Sequence, residues 1–210
     1  MPIKNTIAYF LHRIGISANA LTVFGLLLAA FSGWLIFRGG FFWASAALLA
    51  SGLIDLLDGA VARVSGKASV FGGIFDSSLD RYGDAFIYTG FFFHFTHIGR
   101  NDLAALAASA WIGAFLISYV RARAECEMDS CRVGFWERGE RIGVLTLALA
   151  LGNPAPAMWI LGIGTHWTVA QRLFAASDSS RNRKAPTRAD LAYFLKIGLL
   201  AGVLVFFRLS

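Results

Sequence analysis

The sequence predicts an all-α integral membrane protein: a bundle of six transmembrane helices with an N-terminal interfacial helix and a possible extra C-terminal helix. Of its 210 residues, 57% are hydrophobic and only 15% are charged, whereas soluble domains usually carry about 25% charged residues. The apolar residues fall in long blocks, and about 20 consecutive apolar residues are enough to cross a bilayer. The basic residues lie between these blocks.

The apolar blocks cover residues 21–37, 41–64, 71–98, 103–124, 142–151 and 157–176. Residues 1–13 precede them and can place Ile3, Ile7, Phe10 and Leu11 on one helical face, which is typical of a helix lying on the membrane surface. We therefore divide the chain into a transmembrane domain, residues 1–176, and a C-terminal part, residues 177–210. The latter combines a polar linker, 177–190, with an apolar stretch, 191–209, that either spans the membrane or lies along its surface.

Loop charges predict the orientation of the bundle. Nearly all lysines and arginines belong to one set of loops, and the other set has little beyond Arg38 and Arg100. The positive-inside rule places the first set and the amino terminus in the cytoplasm. The net charge of +6 is therefore explained by membrane topology or by phosphate-bearing substrates, and nucleic acid is not a predicted partner.

Acidic residues interrupt two of the apolar blocks. Asp55 and Asp58 lie near the cytoplasmic end of the second block, and Asp76 and Asp80 near the start of the third. A carboxylate inside a membrane segment costs about 2.5–3.5 kcal/mol on insertion scales, so it normally has a functional partner. The i, i+3 and i, i+4 spacings direct each pair to one helical face. The short connection at 65–70 makes the two helices antiparallel neighbours, and we expect the four carboxylates to converge at one membrane face.

Four neighbouring carboxylates repel one another unless cations lie among them. Arg63 and Arg81 are few against these acids, whereas Mg²⁺ takes oxygen ligands and binds through carboxylates and substrate phosphates. The acids therefore predict a site for Mg²⁺ or Mn²⁺. An ion or proton-coupled transporter also uses acids within the membrane and is the alternative from another functional class.

A longer pattern surrounds these acids. It runs Asp55-x-x-Asp58-Gly59-x-x-Ala62-Arg63, eight further residues, then Gly72-x-x-x-Asp76-x-x-x-Asp80. This pattern resembles the signature of the CDP-alcohol phosphotransferase family, and all eight of the signature's fixed positions match. The resemblance implies an EC 2.7.8-type transferase that moves a substituted phosphate group from a CDP-linked donor to an alcohol and releases CMP.

The same resemblance implies roles for individual residues. Asp55, Asp58 and Asp76 would bind metal, and Asp80 would complete a second metal position and act as the general base. The stretch from Asn19 to Thr22 is similar to a short N-x-L-T element that lies near the nucleotide in relatives, although Asn19 could equally cap a helix. The residues that this resemblance assigns to CDP are Asn19, Thr22, Asp55, Gly59, Arg63 and Gly72.

Arginines near the ends of three apolar blocks indicate the acceptor. Arginine forms planar, bidentate contacts with phosphate, which favours a phosphorylated acceptor, while the positive-inside rule explains loop charge without any ligand. The stretches 118–125, SYVRARAE, and 137–141, ERGER, are similar to those of the phosphatidylinositol-phosphate synthase branch, whose acceptor is inositol 1-phosphate. The predicted acceptor-phosphate residues are Ser118, Arg121, Arg123, Arg138, Arg141 and Arg172.

Together these features predict transfer of a phosphatidyl group from CDP-diacylglycerol, or a related CDP-linked lipid, to a phosphorylated polyol, with inositol 1-phosphate as the first candidate. The alternatives are a phosphatidylglycerophosphate synthase using glycerol 3-phosphate, a relative with CDP-inositol as donor, and an inactive membrane scaffold. The expected location is the cytoplasmic membrane, with the active site facing the cytoplasm. A homodimer is implied by the resemblance alone.

Overall fold

The computed structural model describes residues 3–66, 69–128, 130–131 and 133–182. Within these ranges the chain forms seven α-helices and no β-strand, which confirms the all-α prediction. The apolar stretch 191–209 lies outside the described residues. The helices are α1 (Ile3–Arg13), α2 (Ala18–Phe37), α3 (Phe41–Val64), α4 (Val70–His97), α5 (Asn101–Ala124), α6 (Arg138–Ala150) and α7 (Ala155–Asn182).

Helices α2 to α7 correspond to the six predicted apolar blocks, with different ends. Helix α2 begins at Ala18 because the hydroxyl of Ser17 accepts a hydrogen bond from the backbone N–H of Ala20. Ser17 is thus the N-cap, and the alternative that Asn19 caps this helix is wrong. Helix α6 begins at Arg138, before its apolar block, and α7 continues to Asn182, into the predicted linker.

Three of the described helices, α2, α3 and α5, are long and apolar enough to cross a membrane. Their outward faces support the same conclusion, since Phe24, Leu27, Phe31 and Trp34 of α2 are each at least half exposed. So large an apolar surface requires a partner other than water, and lipid supplies it for a membrane helix. The chain is therefore a multi-pass membrane protein.

The helices pack in a closed ring. Helix α2 packs against α3 and α4, α4 against α5, α5 against α7, α7 against α6, and α6 against α3. The interior of the ring is apolar over most of its length, with Ile36, Leu48, Phe91 and Leu161 fully buried. Helix α1 lies outside the ring and packs against α3 through a small cluster around Ala8.

The expected side-by-side packing of the two acid-bearing helices is wrong. Over the described residues, α3 makes its extensive contacts with α1, α2 and α6, and α4 makes them with α2 and α5. Helix α2 separates them because glycines let α4 approach it closely: a Cβ atom at Gly33 would meet the carbonyl of Phe86, and one at Gly90 would meet the carbonyl of Gly33. The acid-bearing segments of α3 and α4 therefore face each other across a gap.

Serine hydroxyls join α3 to the side of α2 that faces away from α4. Ser51 donates a hydrogen bond of 2.8 Å to the carbonyl of Gly25, and Ser32 donates one of 2.8 Å to the carbonyl of Ala44. Small polar residues commonly link helices in membranes, where water does not satisfy a buried hydroxyl. Together with the close approach of α4 at Gly33 and Gly90, these hydrogen bonds fix the positions of α3 and α4 on either side of α2.

Candidate active site

Three aspartates converge at one end of the ring. One carboxylate oxygen each from Asp55, Asp76 and Asp80 lies within 4.8 Å of the other two. Asp76 and Asp80 are one helical turn apart on α4, and Asp55 reaches them from α3. The spacing of the acids in the sequence therefore predicts this meeting point correctly for three of the four signature aspartates.

Asp58 lies beside this group of three but is not part of it. Its side chain is buried, and its Oδ2 atom accepts a 2.8 Å hydrogen bond from the hydroxyl of Thr22 on α2. Asp58 still lines the same open cleft of about 270 Å³ as Asp55 and Asp80. The fourth carboxylate thus lies in the cleft wall, where a threonine from the first helix of the ring fixes its orientation.

The three converging carboxylates fit a hard divalent cation. All offer oxygen ligands, which Mg²⁺ and Mn²⁺ prefer. The Oδ1 atom of Asp76 is buried, and among the described residues it has no hydrogen-bond partner. A buried carboxylate oxygen without a partner is costly, and a bound cation would remove that cost. Asp55, Asp76 and Asp80 therefore form a group that can hold a divalent metal.

Arg138 forms ion pairs with two of these acids. Its Nη1 atom is 2.8 Å from Asp55 Oδ1 and 2.7 Å from Asp80 Oδ1. The guanidinium reaches the carboxylates from the first turn of α6, so three helices meet at this point. This contact could not be predicted from the sequence, because Arg138 is more than fifty residues from either acid. Its assignment to the acceptor phosphate stays a prediction.

A second, fully buried ion pair adjoins the first. Arg141 Nη2 donates to Asp84 Oδ2 at 2.8 Å, and Arg141 Nη1 donates to the carbonyl of Trp136 at 3.1 Å. Asp84 is one turn beyond Asp80 and extends the row of acids on α4, which is the signal that could have identified it. This pair attaches the start of α6 to α4 and so holds Arg138 beside the acids.

The family model for CDP-alcohol phosphatidyltransferases matches residues 15–170. The chain belongs to this family. It is therefore a transferase of phospholipid biosynthesis, and the transporter and scaffold alternatives are excluded. The match includes α2 to α6, the first part of α7 and all four signature aspartates.

Three relatives illustrate the similarity. The phosphatidylinositol phosphate synthase of Mycobacteroides abscessus is 33% identical over 187 residues, which cover 84% of each chain. The archaetidylinositol phosphate synthase of Pyrococcus horikoshii is 33% identical over 167 residues, 79% of this chain and 86% of the relative. The Mycobacterium tuberculosis phosphatidylinositol phosphate synthase with CDP-DAG bound has a TM-score of 0.76 and 27% identity, and the match covers 84% of this chain and 94% of that one.

A second structure of the M. tuberculosis enzyme, in complex with manganese and citrate, has a TM-score of 0.77 and 27% identity. The match covers 83% of this chain and 89% of that one. Together with the converging carboxylates of Asp55, Asp76 and Asp80, this similarity supports use of a divalent metal by the present CDP-alcohol phosphatidyltransferase.

The residues that the signature assigns to CDP lie around the same end of the ring. Thr22 contacts Asp58, as described above, while Asn19 is exposed in the first turn of α2. A Cβ atom at Gly59 would be 3.5 Å from Arg63 Nη1, so this guanidinium lies along the glycine. The backbone N–H of Gly72 donates to the hydroxyl of Ser69, the N-cap of α4. The geometry is compatible with their assignment, which stays a prediction.

The remaining arginines have partners of their own. Arg121 and Arg123 each pair with a glutamate one turn later on the chain, Glu125 and Glu127, at 3.0 Å. Arg172 is buried and donates to the carbonyls of Val133 at 2.8 Å and Ile117 at 2.6 Å. Ser118 donates within α5 to the carbonyl of Ala114 at 3.4 Å.

These contacts divide the predicted phosphate ligands into two groups. Arg141 and Arg172 use their N–H groups to attach the α5–α6 connection to α4, α5 and α7, and their assignment to the acceptor phosphate stays a prediction. Arg121 and Arg123 are more exposed, and a guanidinium has five N–H donors, so a bond to one glutamate leaves donors for a phosphate.

Proposed function

We propose that the protein transfers the phosphatidyl group of CDP-diacylglycerol to inositol 1-phosphate and releases CMP. The observation that carries this proposal is the meeting of Asp55, Asp76 and Asp80, all signature acids, in a cleft at one end of a membrane helix ring. Its substrates are suggested by the relatives, which are named phosphatidylinositol phosphate or archaetidylinositol phosphate synthases. The donor is suggested by the CDP-DAG in the M. tuberculosis enzyme.

The membrane placement suits such a donor. We infer that α2 to α7 all cross the bilayer, that α1 lies at the interface, and that the acids face the cytoplasm, as the loop charges predict. The acyl chains of the donor would then remain in the bilayer while CDP enters the cleft. Asn19, Thr22, Asp55, Gly59, Arg63 and Gly72 are proposed to bind CDP.

Mg²⁺ or Mn²⁺ held by Asp55, Asp58, Asp76 and Asp80 would neutralise charge on the donor's phosphate oxygens. Thr22 orients Asp58 by its hydrogen bond, and the α2 packing holds α3 and α4 at the separation that lets their carboxylates meet. The chain's contribution is thus a set of fixed oxygen ligands on two rigid helices, α3 and α4, which keeps reorganisation during the reaction small.

Asp80 is proposed as the general base. Its side chain is 16% exposed and lines the cleft, so an acceptor hydroxyl can approach it. The acceptor oxygen forms a bond to the β-phosphorus, and the bond between that phosphorus and the bridging oxygen breaks. CMP leaves with the electron pair, and the hydroxyl proton passes to the Asp80 carboxylate.

The acceptor's phosphate is proposed to bind at the cytoplasmic end of α5, with Ser118, Arg121 and Arg123, and at Arg138. Planar guanidinium groups match phosphate oxygens better than ammonium groups do. Arg141 and Arg172, which were predicted as further ligands, would support this site through their contacts with the α5–α6 connection.

The test is a turnover assay with protein in nanodiscs, CDP-diacylglycerol and Mg²⁺ or Mn²⁺. Parallel reactions contain inositol 1-phosphate, glycerol 3-phosphate, free inositol or serine, and a further reaction pairs CDP-inositol with a lipid alcohol. CMP release and lipid mass spectrometry identify the product. We expect phosphatidylinositol phosphate as the main product and no turnover in excess EDTA. A main product formed from glycerol 3-phosphate would overturn the proposed acceptor.

A further inference from the structure

We propose that Arg138 is a built-in counter-cation of the active site that competes with the divalent metal for Asp55 and Asp80. One nitrogen, Nη1, bridges the two carboxylates at 2.8 and 2.7 Å. Both acids belong to the group whose oxygens converge within 4.8 Å. A guanidinium and a metal ion between the same two carboxylates would be like charges in contact, which repel strongly where water is scarce.

The fold itself determines the position of the Arg138 guanidinium. The guanidinium lies against Gly83 of α4, where a Cβ atom would be in ordinary van der Waals contact with Arg138 Nη2 at 3.8 Å. The adjacent pair of Asp84 and Arg141 fixes the first turn of α6 against α4. Arg138 therefore reaches the acids from a rigid element, and its contact with them is a property of the ring.

The contact also leaves part of the guanidinium poorly satisfied. Arg138 Nε is buried, and among the described residues it has no hydrogen-bond partner; the nearest carboxylate oxygen in an ion pair, Asp84 Oδ1, is 4.0 Å away. A buried donor without a partner destabilises the arrangement. Among the described residues, the two short contacts from Nη1 are therefore the main attachment of Arg138 to Asp55 and Asp80, and a divalent ion would offer those carboxylates a stronger attraction.

Competition has a consequence for substrate binding that rests on the proposed function. Arg138 lines the cleft, so a guanidinium displaced from the acids remains close to the proposed acceptor site. Metal binding would then free a phosphate ligand, and the acceptor's phosphate would find Arg138 only after the metal has bound. Thermodynamic linkage requires each event to favour the other to the same extent.

The first test measures Mn²⁺ affinity by electron paramagnetic resonance, in nanodiscs without substrates, for wild type, Arg138→Gln and Arg81→Gln. Arg81 is the matched control, because it also pairs with Asp80 but through Oδ2 at 3.6 Å and with a 30% exposed side chain. Both variants lose one positive charge beside the acids, and only Arg138→Gln vacates the bridge. We expect Arg138→Gln to bind Mn²⁺ roughly tenfold more tightly than wild type, since close charge pairs couple by more than 1 kcal/mol. The Arg81→Gln change should be roughly threefold or less, because this pair is longer, 3.6 Å, and its arginine is partly exposed.

Equal tightening in both variants would show that charge alone matters and would overturn the proposal, as would unchanged or weaker binding by Arg138→Gln. A second measurement uses wild-type protein, in case that variant does not fold. Phenylglyoxal modification of Arg138, read by peptide mass spectrometry, should become several times faster as Mn²⁺ saturates the site. A rate that does not rise with Mn²⁺ would refute displacement.

A final arm separates this inference from the proposed function. Inositol 1-phosphate should protect Arg138 from phenylglyoxal when Mn²⁺ is present, and glycerol 3-phosphate should protect it less. If Mn²⁺ accelerates modification but neither phosphate ester protects Arg138, the competition stands and the assignment of Arg138 to the acceptor is wrong.

Discussion

Replacing Asp84 by Asn should strongly destabilise the protein, although Asp84 is not one of the signature residues. The carboxylate of Asp84 is the 2.8 Å partner of Arg141, and the Arg141 side chain is only 3% exposed. Asn is nearly isosteric, so the change leaves a buried guanidinium without its counter-charge and creates no cavity. Breaking a buried pair in this way costs about 3–5 kcal/mol, which corresponds to a fall in melting temperature of roughly 6–20 °C for a chain of this size.

The chain offers a matched control and a reporter for this measurement. Asp102 forms an equally short pair with Arg100, at 2.8 Å, but both side chains are about half exposed. Asp102→Asn should therefore change the melting temperature little. Cys131 is buried, and burial raises the pKa of its thiol, so a thiol-reactive dye detects unfolding at this residue once the exposed Cys126 is replaced by Ser.

A double variant distinguishes loss of the pair from loss of the acid itself. Asp84→Asn combined with Arg141→Met removes both charges, and replacement of a whole buried pair is often close to neutral. The double variant should recover at least half of the lost stability. The reasoning is refuted if Asp84→Asn melts within 2 °C of Asp102→Asn, roughly the shift for less than 1 kcal/mol, or if the second substitution makes the loss larger.

Three further predictions concern the site and its helices. Asp80→Asn should abolish CMP release while Cys131 stays protected from the dye; near wild-type turnover would remove Asp80 as the base. Gly33→Ala should destabilise by about 1–3 kcal/mol through overpacking against α4, whereas Gly143→Ala, where a Cβ atom meets nothing within 4 Å, should be neutral or stabilising; equal melting temperatures would contradict the α2–α4 packing. Thr22→Val should cost about 1.5–3 kcal/mol by leaving a charged acceptor unpaired, Thr22→Ser should retain most of that stability, and identical melting of the two variants would argue against this hydrogen bond.

Local patterns explain why much of the fold could be predicted from the sequence. Hydropathy located six of the seven helices, because each long block of apolar residues folded as a helix, and the spacing of Asp76 and Asp80 placed them on one face. Ends were less predictable where capping decides them, as at Ser17, or where a helix extends into polar residues, as at Arg138.

The arginines show what the sequence could not provide. In sequence, Arg121, Arg138 and Arg172 are all basic residues beside an apolar block, and the positive-inside rule treats them alike. In the structure Arg121 pairs with the next turn of its own helix, Arg138 bridges two acids of other helices, and Arg172 is buried against backbone carbonyls. Only the packing of the ring determines which partner each arginine contacts, because each partner except that of Arg121 is distant along the chain.

The net charge around the cleft shows that the proposed competition between Arg138 and a metal depends on the position of the guanidinium more than on its charge. Five aspartates lie at this end of the ring, at positions 55, 58, 76, 80 and 84, and the described arginines that form ion pairs with them are at positions 81, 138 and 141. If all are ionised, two negative charges remain, so one divalent ion would neutralise the group with every arginine still in place. Neutrality therefore does not require Arg138 to leave. The requirement comes from geometry, because Nη1 lies between two of the carboxylates that would hold a metal. A variant that removes the positive charge of Arg81 leaves these two contacts of Arg138 in place.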